Sequence, residues 1–241
     1  MIVKKRDAQF EVIQALEEQS ATTRDVLKRN ACISAASRLR ADSTTQRATE
    51  LVDFYFAQRE DWAVIHDLRM RVGSHAIQIN HVLVHNSVQI VCLDTRYLNC
   101  QIERAENEQY KVLSTTKKKI ITSPLSKMAK DVRLLKSSLE SIGWLPKRFG
   151  FKLNTPVRGG VLVGIDSAKK DVRLRITDVG MYSSEAFFAN LCDSNRFGSG
   201  LLRRRLSGDA FRELATLLVR QHSPIYPSHL LESESEKVLA V

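Results

Sequence analysis

No stretch of this 241-residue chain approaches the roughly 18 uninterrupted apolar residues that a membrane helix requires, which excludes a helical membrane span. No apolar segment follows the first residues either. Met1-Ile2-Val3-Lys4-Lys5-Arg6-Asp7 is charged at once, so no secretory signal is expected. Cys32, Cys92, Cys100 and Cys192 stand far apart, without a C-x-x-C pair or the dense spacing of a disulfide-built domain. A reducing, cytoplasmic setting is the matching expectation. There is no internal repeat. The glycine pair Gly159-Gly160 is expected to precede a strand, not a helix, which argues against a phosphate-cradling loop.

What is present is the composition of a soluble folded chain, 43% hydrophobic and 27% charged. The length suits one main core with extensions. Charge is unevenly spread. Lys and Arg number 37 against 27 acidic residues, a net charge of +10 and a pI near 9.6. From Lys111 to Lys152 run eleven basic residues, opposed only by Asp131 and Glu140, so this segment holds an excess of nine. A concentrated basic surface suits a polyphosphate partner, because each neutralised phosphate releases condensed counterions. The plainer alternative is a solvated, solubilising face.

Along the chain, residues 1–42 read as a helical extension, with Phe10, Ile13, Leu16, Val26 and Leu27 at helix-like spacing and Thr23 as a cap. They form an accessory hairpin, packed on the main domain or used for self-association or a protein partner. A helix starts at Ser43, where Ser43-Thr44-Thr45-Gln46 has capping-box spacing, and runs to about Gln58; Phe54, Tyr55 and Phe56 read as core residues. Three strands follow, at Ala63–Leu68, Ala76–Val84 and Val88–Leu93, the last apolar enough to be buried on both faces. Gly73 and Asn86-Ser87 mark the turns, and Asn99–Glu103 is a possible further strand. Ser123-Pro124 opens a helix carrying Leu125, Met128, Val132, Leu135 and Leu139. Further strands are expected at Gly160–Ile165 and Val172–Ile176, and a helix from Ser183 through Leu191. Residues 193–241 form a basic tail with a helix from Asp209 to Gln221 and a disordered end. The expected architecture is an α/β domain, a central mixed sheet flanked by helices.

Strand alternation puts Gln78 with Asn80 on one face, and Asp94 with Arg96. A carboxylate two residues before a cation, at the end of a buried strand, is a costly place for charge. It is either an ion pair with no other role or part of a phosphodiesterase site, which needs oxygen ligands for Mg²⁺ and a cation near the scissile phosphate.

The segments Val64-Ile65-His66-Asp67-Leu68, Gln78-Ile79-Asn80-His81 and Val91-Cys92-Leu93-Asp94-Thr95-Arg96 resemble the nuclease-related domain, NERD. That family typically shows Q-x-D-H, then a strand ending E-x-K, then a helix introduced by a Pro-containing turn with a Gln. Ser123-Pro124-Leu125 is similar to that turn, and Val161–Ile165 to the strand after it. The resemblance covers residues 43–192 and implies a PD-(D/E)xK, restriction-endonuclease-like core with Mg²⁺ or Mn²⁺ as cofactor. It also implies a catalytic set of Gln78, Asn80, Asp94 and Arg96, with Asp94 and Asn80 as the metal ligands.

This chain departs from the family at four positions. Asn80 stands for the family's Asp, Asp94 for its Glu, Arg96 for its Lys and Lys127 for the helix Gln. The first-helix acid aligns with Glu50 or, equally, Gln46. Asn80 offers a carbonyl oxygen without charge, where Mg²⁺ is held best by carboxylates. Asp94 is a methylene short of Glu, and Arg96 keeps its charge but has no proton-transfer role. The expectation is a pseudo-nuclease that binds nucleic acid, DNA first, through Lys117, Lys118, Lys119, Lys127, Lys130, Arg203, Arg204 and Arg205, holding Mg²⁺ or Mn²⁺ weakly. An active Mg²⁺- or Mn²⁺-dependent nuclease and a protein-interaction module are the alternatives. His81 and His85 lack partners at zinc-ligand spacing, so His81 is read as a sheet hydrogen-bonder. Cys92 is read as a packed thiol.

Overall fold

The apolar runs between 62 and 97 form three long antiparallel strands, β2 (Trp62–Val72), β3 (His75–His85) and β4 (Gln89–Tyr97). The computed structural model describes residues 1–7, 9–40, 43–98, 101–104, 109–113, 118–121, 123–141, 147–148, 151–152, 155–163, 179–184, 187–188, 191 and 206–224. β2 and β3 meet through a two-residue turn, with Gly73 at φ 60°, a conformation glycine adopts without steric cost. The β3–β4 turn is closed by Val88 N–H donating to the His85 carbonyl at 3.0 Å.

Three further strands complete a six-stranded sheet in the order β1-β2-β3-β4-β10-β11. β1 (Ile2–Lys4), β10 (Val157–Val163) and β11 (Val179–Ser183) all join in parallel, β1 on β2, β10 on β4 and β11 on β10. The sheet is therefore mixed, as expected. A second sheet pairs β5 (Gln101–Arg104), β6 (Tyr110–Leu113) and β7 (Lys118–Ile121), and β8 (Lys147–Arg148) pairs with β9 (Phe151–Lys152).

Helices cover both faces. On one, α3 (Ser43–Phe56) sets Ala48, Val52 and Phe56 against Val64, Leu83, Val91 and Leu93, joined by Phe187, Phe188 and Leu191. On the other, α4 (Pro124–Ser141) sets Met128, Val132, Leu135 and Leu139 against Ile90, Cys92 and Val161, and α5 (Gly208–Arg220) adds Phe211, Leu214 and Leu218. Pro124 is the first residue of α4, where its missing N–H costs nothing. Ser207 caps α5 by accepting the Ala210 N–H at 3.3 Å. The remaining helices, α1 (Gln9–Thr22) and α2 (Val26–Arg40), form a hairpin around a small cluster of Leu16, Cys32, Ala35 and Ala36. Among the described residues, no helix is long and apolar enough to cross a membrane.

The helix, three strands, helix, strand order of the core is the expected one, but several local readings change. The first residues contain a strand, β1, as well as helices. Asp25, not Thr23, caps α2, its carboxylate accepting the Leu27 and Lys28 N–H groups. Gln46 does not turn back as a capping-box partner; its amide bonds Glu50 and Arg6. Phe54 is 82% exposed, whereas Phe56 is buried and Tyr55 stacks on Phe188 at 4.8 Å. Gly159-Gly160 lies inside β10, because α4 crosses the strand there: a Cβ on Gly159 would meet Met128 Cγ at 2.5 Å. Val172–Ile176 and the disordered end lie outside the described residues, as do four of the nine positions of the expected Ser183–Leu191 helix.

Candidate functional site

The carboxyl end of β4 carries the first pair. Asp94 aligns with Val161 but Tyr97 with Val163, so β4 holds one residue more than β10 between those rungs. Such a bulge re-aims side chains at a strand end. The Asp94 carboxylate fills the broken rung by accepting the Arg96 backbone N–H at 3.1 Å. It also accepts Arg96 Nε at 2.9 Å on Oδ1 and 3.1 Å on Oδ2, and Arg96 Nη2 on Oδ2. Asp94 is buried, while the Arg96 side chain is 45% exposed and its guanidinium lies 5.6 Å from the centre of the Tyr97 ring. The Asp94 bonds hold Arg96 above its already high ordinary pKa, against the opposing effect of burial.

α4 brings up a second pair of the same kind. Lys127, also 45% exposed, donates to the buried carboxylate of Asp131 one turn on, and to the Gln78 backbone carbonyl at 3.2 Å. Asp131 acts further as well: its charge raises Arg96 and adds to the burial that pushes the Cys92 thiol up. In sequence it reads only as a dilution of a basic segment. The signal available was its place at i+3 from Met128, on the buried face of α4. Because Asp94 and Asp131 sit behind Arg96 and Lys127, the group is formally neutral and not the acid-depleted site that the substitutions alone imply.

Between these pairs Asn80 Oδ1 accepts the Thr95 N–H at 3.3 Å. The simple alternation assumed for Gln78 and Asn80 fails close by. Ala63 and Ile65 share an apolar cluster with Leu68 and Met70, and Val82 and Val84 share it with Ile77 and Ile79. Inward positions an odd number apart mean that both strands exchange faces. The exchange falls where Asp67, at φ 49°, comes opposite Asn80.

Thr95 leads into a buried chain across the sheet. Its Oγ1 lies 3.2 Å from His81 Nε2, His81 Nδ1 lies 2.7 Å from His66 Nδ1, and His66 Nε2 lies 2.9 Å from Asp53 Oδ1 on α3. Burial lowers both imidazoles below their usual pKa, His81 the further, so both are neutral at pH 7. A carboxylate only accepts, which puts the His66 proton on Nε2. His81 then donates from Nδ1, and Thr95 donates its hydroxyl to His81 Nε2. Every ring nitrogen is satisfied in one direction, so His81 is a sheet hydrogen-bonder. His85 locks the β3–β4 turn: its Nδ1 accepts from both the Ser87 hydroxyl and the Ser87 N–H, and its Nε2 faces Asp61.

The remaining expected residues are spread out. Gln78 contributes its carbonyl, its side chain lying on an exposed position. Lys130 stands on the exposed side of α4 with Arg133 and Lys136. The backbones of Lys118 and Lys119 pair with Leu113 and Val112. Lys117 and Arg203, Arg204 and Arg205 lie outside the described residues. The donor set does not fit Mg²⁺ or Mn²⁺. Both Asp94 oxygens are taken by Arg96, Asn80 is uncharged and bonded to Thr95, and a hard dication needs several free oxygens. Among the described residues no three His, Cys, Asp or Glu side chains gather to hold a metal.

No curated protein and no solved structure matches the chain. Residues 44–159 match the family model of the nuclease-related domain. That span runs from α3 through the three long strands and α4 into β10, and includes Asn80, Asp94, Arg96, Lys127 and Asp131. Over those residues, just under half of its length, the chain is similar to the nuclease-related domain family, NERD.

Proposed function

We propose that this nuclease-related domain binds nucleic acid through its phosphates, with Arg96 and Lys127 as contacts, and that its cleavage activity is impaired. The observation that carries this reading is the capture of both Asp94 oxygens by Arg96. A carboxylate so engaged is not available as a metal ligand, and the cation that engages it still turns nearly half its surface to solvent. Arg96 and Lys127 are each held from behind by a buried carboxylate, which restricts their rotamers before a phosphate arrives. The guanidinium fork suits phosphate geometry, and Lys130, Arg133 and Lys136 extend the positive surface along α4. DNA is the expected partner.

The test separates retention from cleavage. Labelled duplex DNA, single-stranded DNA and RNA are incubated with the protein in EDTA, Mg²⁺ or Mn²⁺. Retention in EDTA without cleavage is expected, weakened at least tenfold in an Arg96→Ala/Lys127→Ala double variant. Metal-dependent cleavage abolished by Asp94→Ala overturns the impaired reading, and absence of retention on all three substrates overturns the binding one.

A further inference from the structure

We infer that Ser87, His85 and Asp61 form a nucleophilic triad, a second site at the β3–β4 turn that takes carboxylic esters. The turn precedes β4, at the end opposite Asp94 and Arg96. Ser87 Oγ lies 2.6 Å from His85 Nδ1, and His85 Nε2 lies 3.3 Å from Asp61 Oδ2. A neighbouring bond fixes the tautomer. The Ser87 backbone N–H donates to His85 Nδ1 at 3.2 Å, so Nδ1 carries a lone pair and the proton sits on Nε2, toward Asp61. A nucleophile, a base within reach and a third group orienting the base are the parts of a serine hydrolase site. Ser87 and Asp61 are only partly buried, so the group opens to solvent.

The surroundings favour the same chemistry. Burial opposes ionisation of Asp61, but the bonds from Arg59 hold the carboxyl below its ordinary pKa, so it is charged at pH 7. The Trp62 ring centre lies 4.6 Å from that of His85, within reach of a cation–π contact once the imidazole is protonated. Gln89 Nε2 donates to Ser87 Oγ at 3.3 Å while its Oε1 accepts from Arg158 Nη1 at 3.5 Å, which puts an amide donor beside the nucleophile, where an oxyanion develops. Val88, the next residue, has φ 68°, a strained conformation for a β-branched side chain. Two buried polar atoms at this end have no hydrogen-bond partner among the described residues. They are Asn86 Oδ1 and Thr155 Oγ1, the latter brought level with Val88 by the pairing of Val157 with Ile90. A hairpin lock leaves both uncompensated, whereas an ester bearing a hydroxyl or amide group offers them partners.

In the first step Ser87 Oγ bonds to the acyl carbon as its proton passes to His85 Nδ1. The C–O bond to the alcohol then breaks, and the imidazolium returns the proton to the leaving oxygen. Water repeats the sequence on the Ser87 ester, releasing the carboxylic acid and restoring the serine.

The test is reaction of the purified full chain with a fluorophosphonate probe, read as a mass adduct mapped by peptide, beside hydrolysis of p-nitrophenyl acetate. One adduct, on Ser87, is expected. Ser87→Ala abolishes it with little change in melting temperature, and His85→Gln slows it by about 100-fold or more. The labelling rate rises with pH through one ionisation in the histidine range. Asp61→Asn lowers the midpoint of that rise, because the carboxylate that favours the imidazolium is gone; a purely structural Asp61 leaves it in place. A wild type that takes no adduct overturns the inference, as does an adduct or an esterase rate that Ser87→Ala leaves unchanged. Neither readout involves nucleic acid.

Discussion

The histidine pair His66 and His81 occupies the centre of a sheet where most neighbours are apolar, and it is tolerated because every ring nitrogen has a partner. The same satisfaction makes it a pH liability. Both groups have folded pKa values below the ordinary 6.5, so the unfolded chain takes up protons first as pH falls. Their stabilising contribution is complete above pH 6.5 and is lost progressively below it. Thermal unfolding followed from pH 8 to pH 5 is expected to show a melting temperature that drops below pH 6.5. His81→Gln lowers the melting temperature at pH 8 but flattens the fall; a pH profile parallel to wild type would count against this account. Part of this was legible in the chain. His81 reads as a sheet hydrogen-bonder from its place in a strand, but the bond to His66 depends on a cross-strand register that local pattern does not contain. Asp131 was hidden in a different way. Its burial comes from the approach of α4 to β4, so a charge that counts against a basic segment in sequence sits behind a cation in space.

At the scale of the element, what reads well is what carries its own periodicity and punctuation. α4 is one case, with Ser123-Pro124 at its start and Met128, Val132, Leu135 and Leu139 on its inner face. Leu135 is fully buried, so Leu135→Ala is expected to cost about 2–5 kcal/mol in denaturant unfolding. The strands β2, β3 and β4 read equally well from their β-branched runs. Gly159 is the contrary case, since a glycine in a strand announces close approach without saying what approaches. Met128 and Val132 are the answer, and Gly159→Ala is expected to destabilise by about 1–3 kcal/mol. Met128→Ala should recover part of that loss in a double-mutant cycle, because the alanine removes the clashing Cγ. Strictly additive effects would show that the crossing of α4 over β10 is not the reason for the glycine.

For the whole molecule, the basic charge is the property most legible in sequence, and its consequence is a matter of degree. With phosphates as ligand, each contact contributes about 0.9 to the slope of log affinity against log salt. Arg96→Ala/Lys127→Ala is therefore expected to lower that slope by about 1.8, measured by fluorescence anisotropy between 50 and 200 mM salt. An unchanged slope would place the contacts elsewhere on the surface. The mixed character of the sheet follows from the hairpin-rich middle of the chain, but the parallel edges do not. β1 is three residues long at a charged start, and β10 and β11 take their neighbours through crossovers that pattern alone does not order.

Those parallel edges also set an order of events when the chain folds. β2, β3 and β4 pair through short turns and close small loops, whereas β1 reaches β2 across about sixty residues and β10 reaches β4 across a similar span. Small loops close at lower entropic cost, so the meander is expected to form first and the edges to be stitched on afterwards. In a quenched-flow hydrogen-exchange experiment, amides of β3 should gain protection before those of β1 and β10. The Arg96 bulge, which lies on the β4 edge facing β10, therefore acquires its final shape only in the late phase of folding.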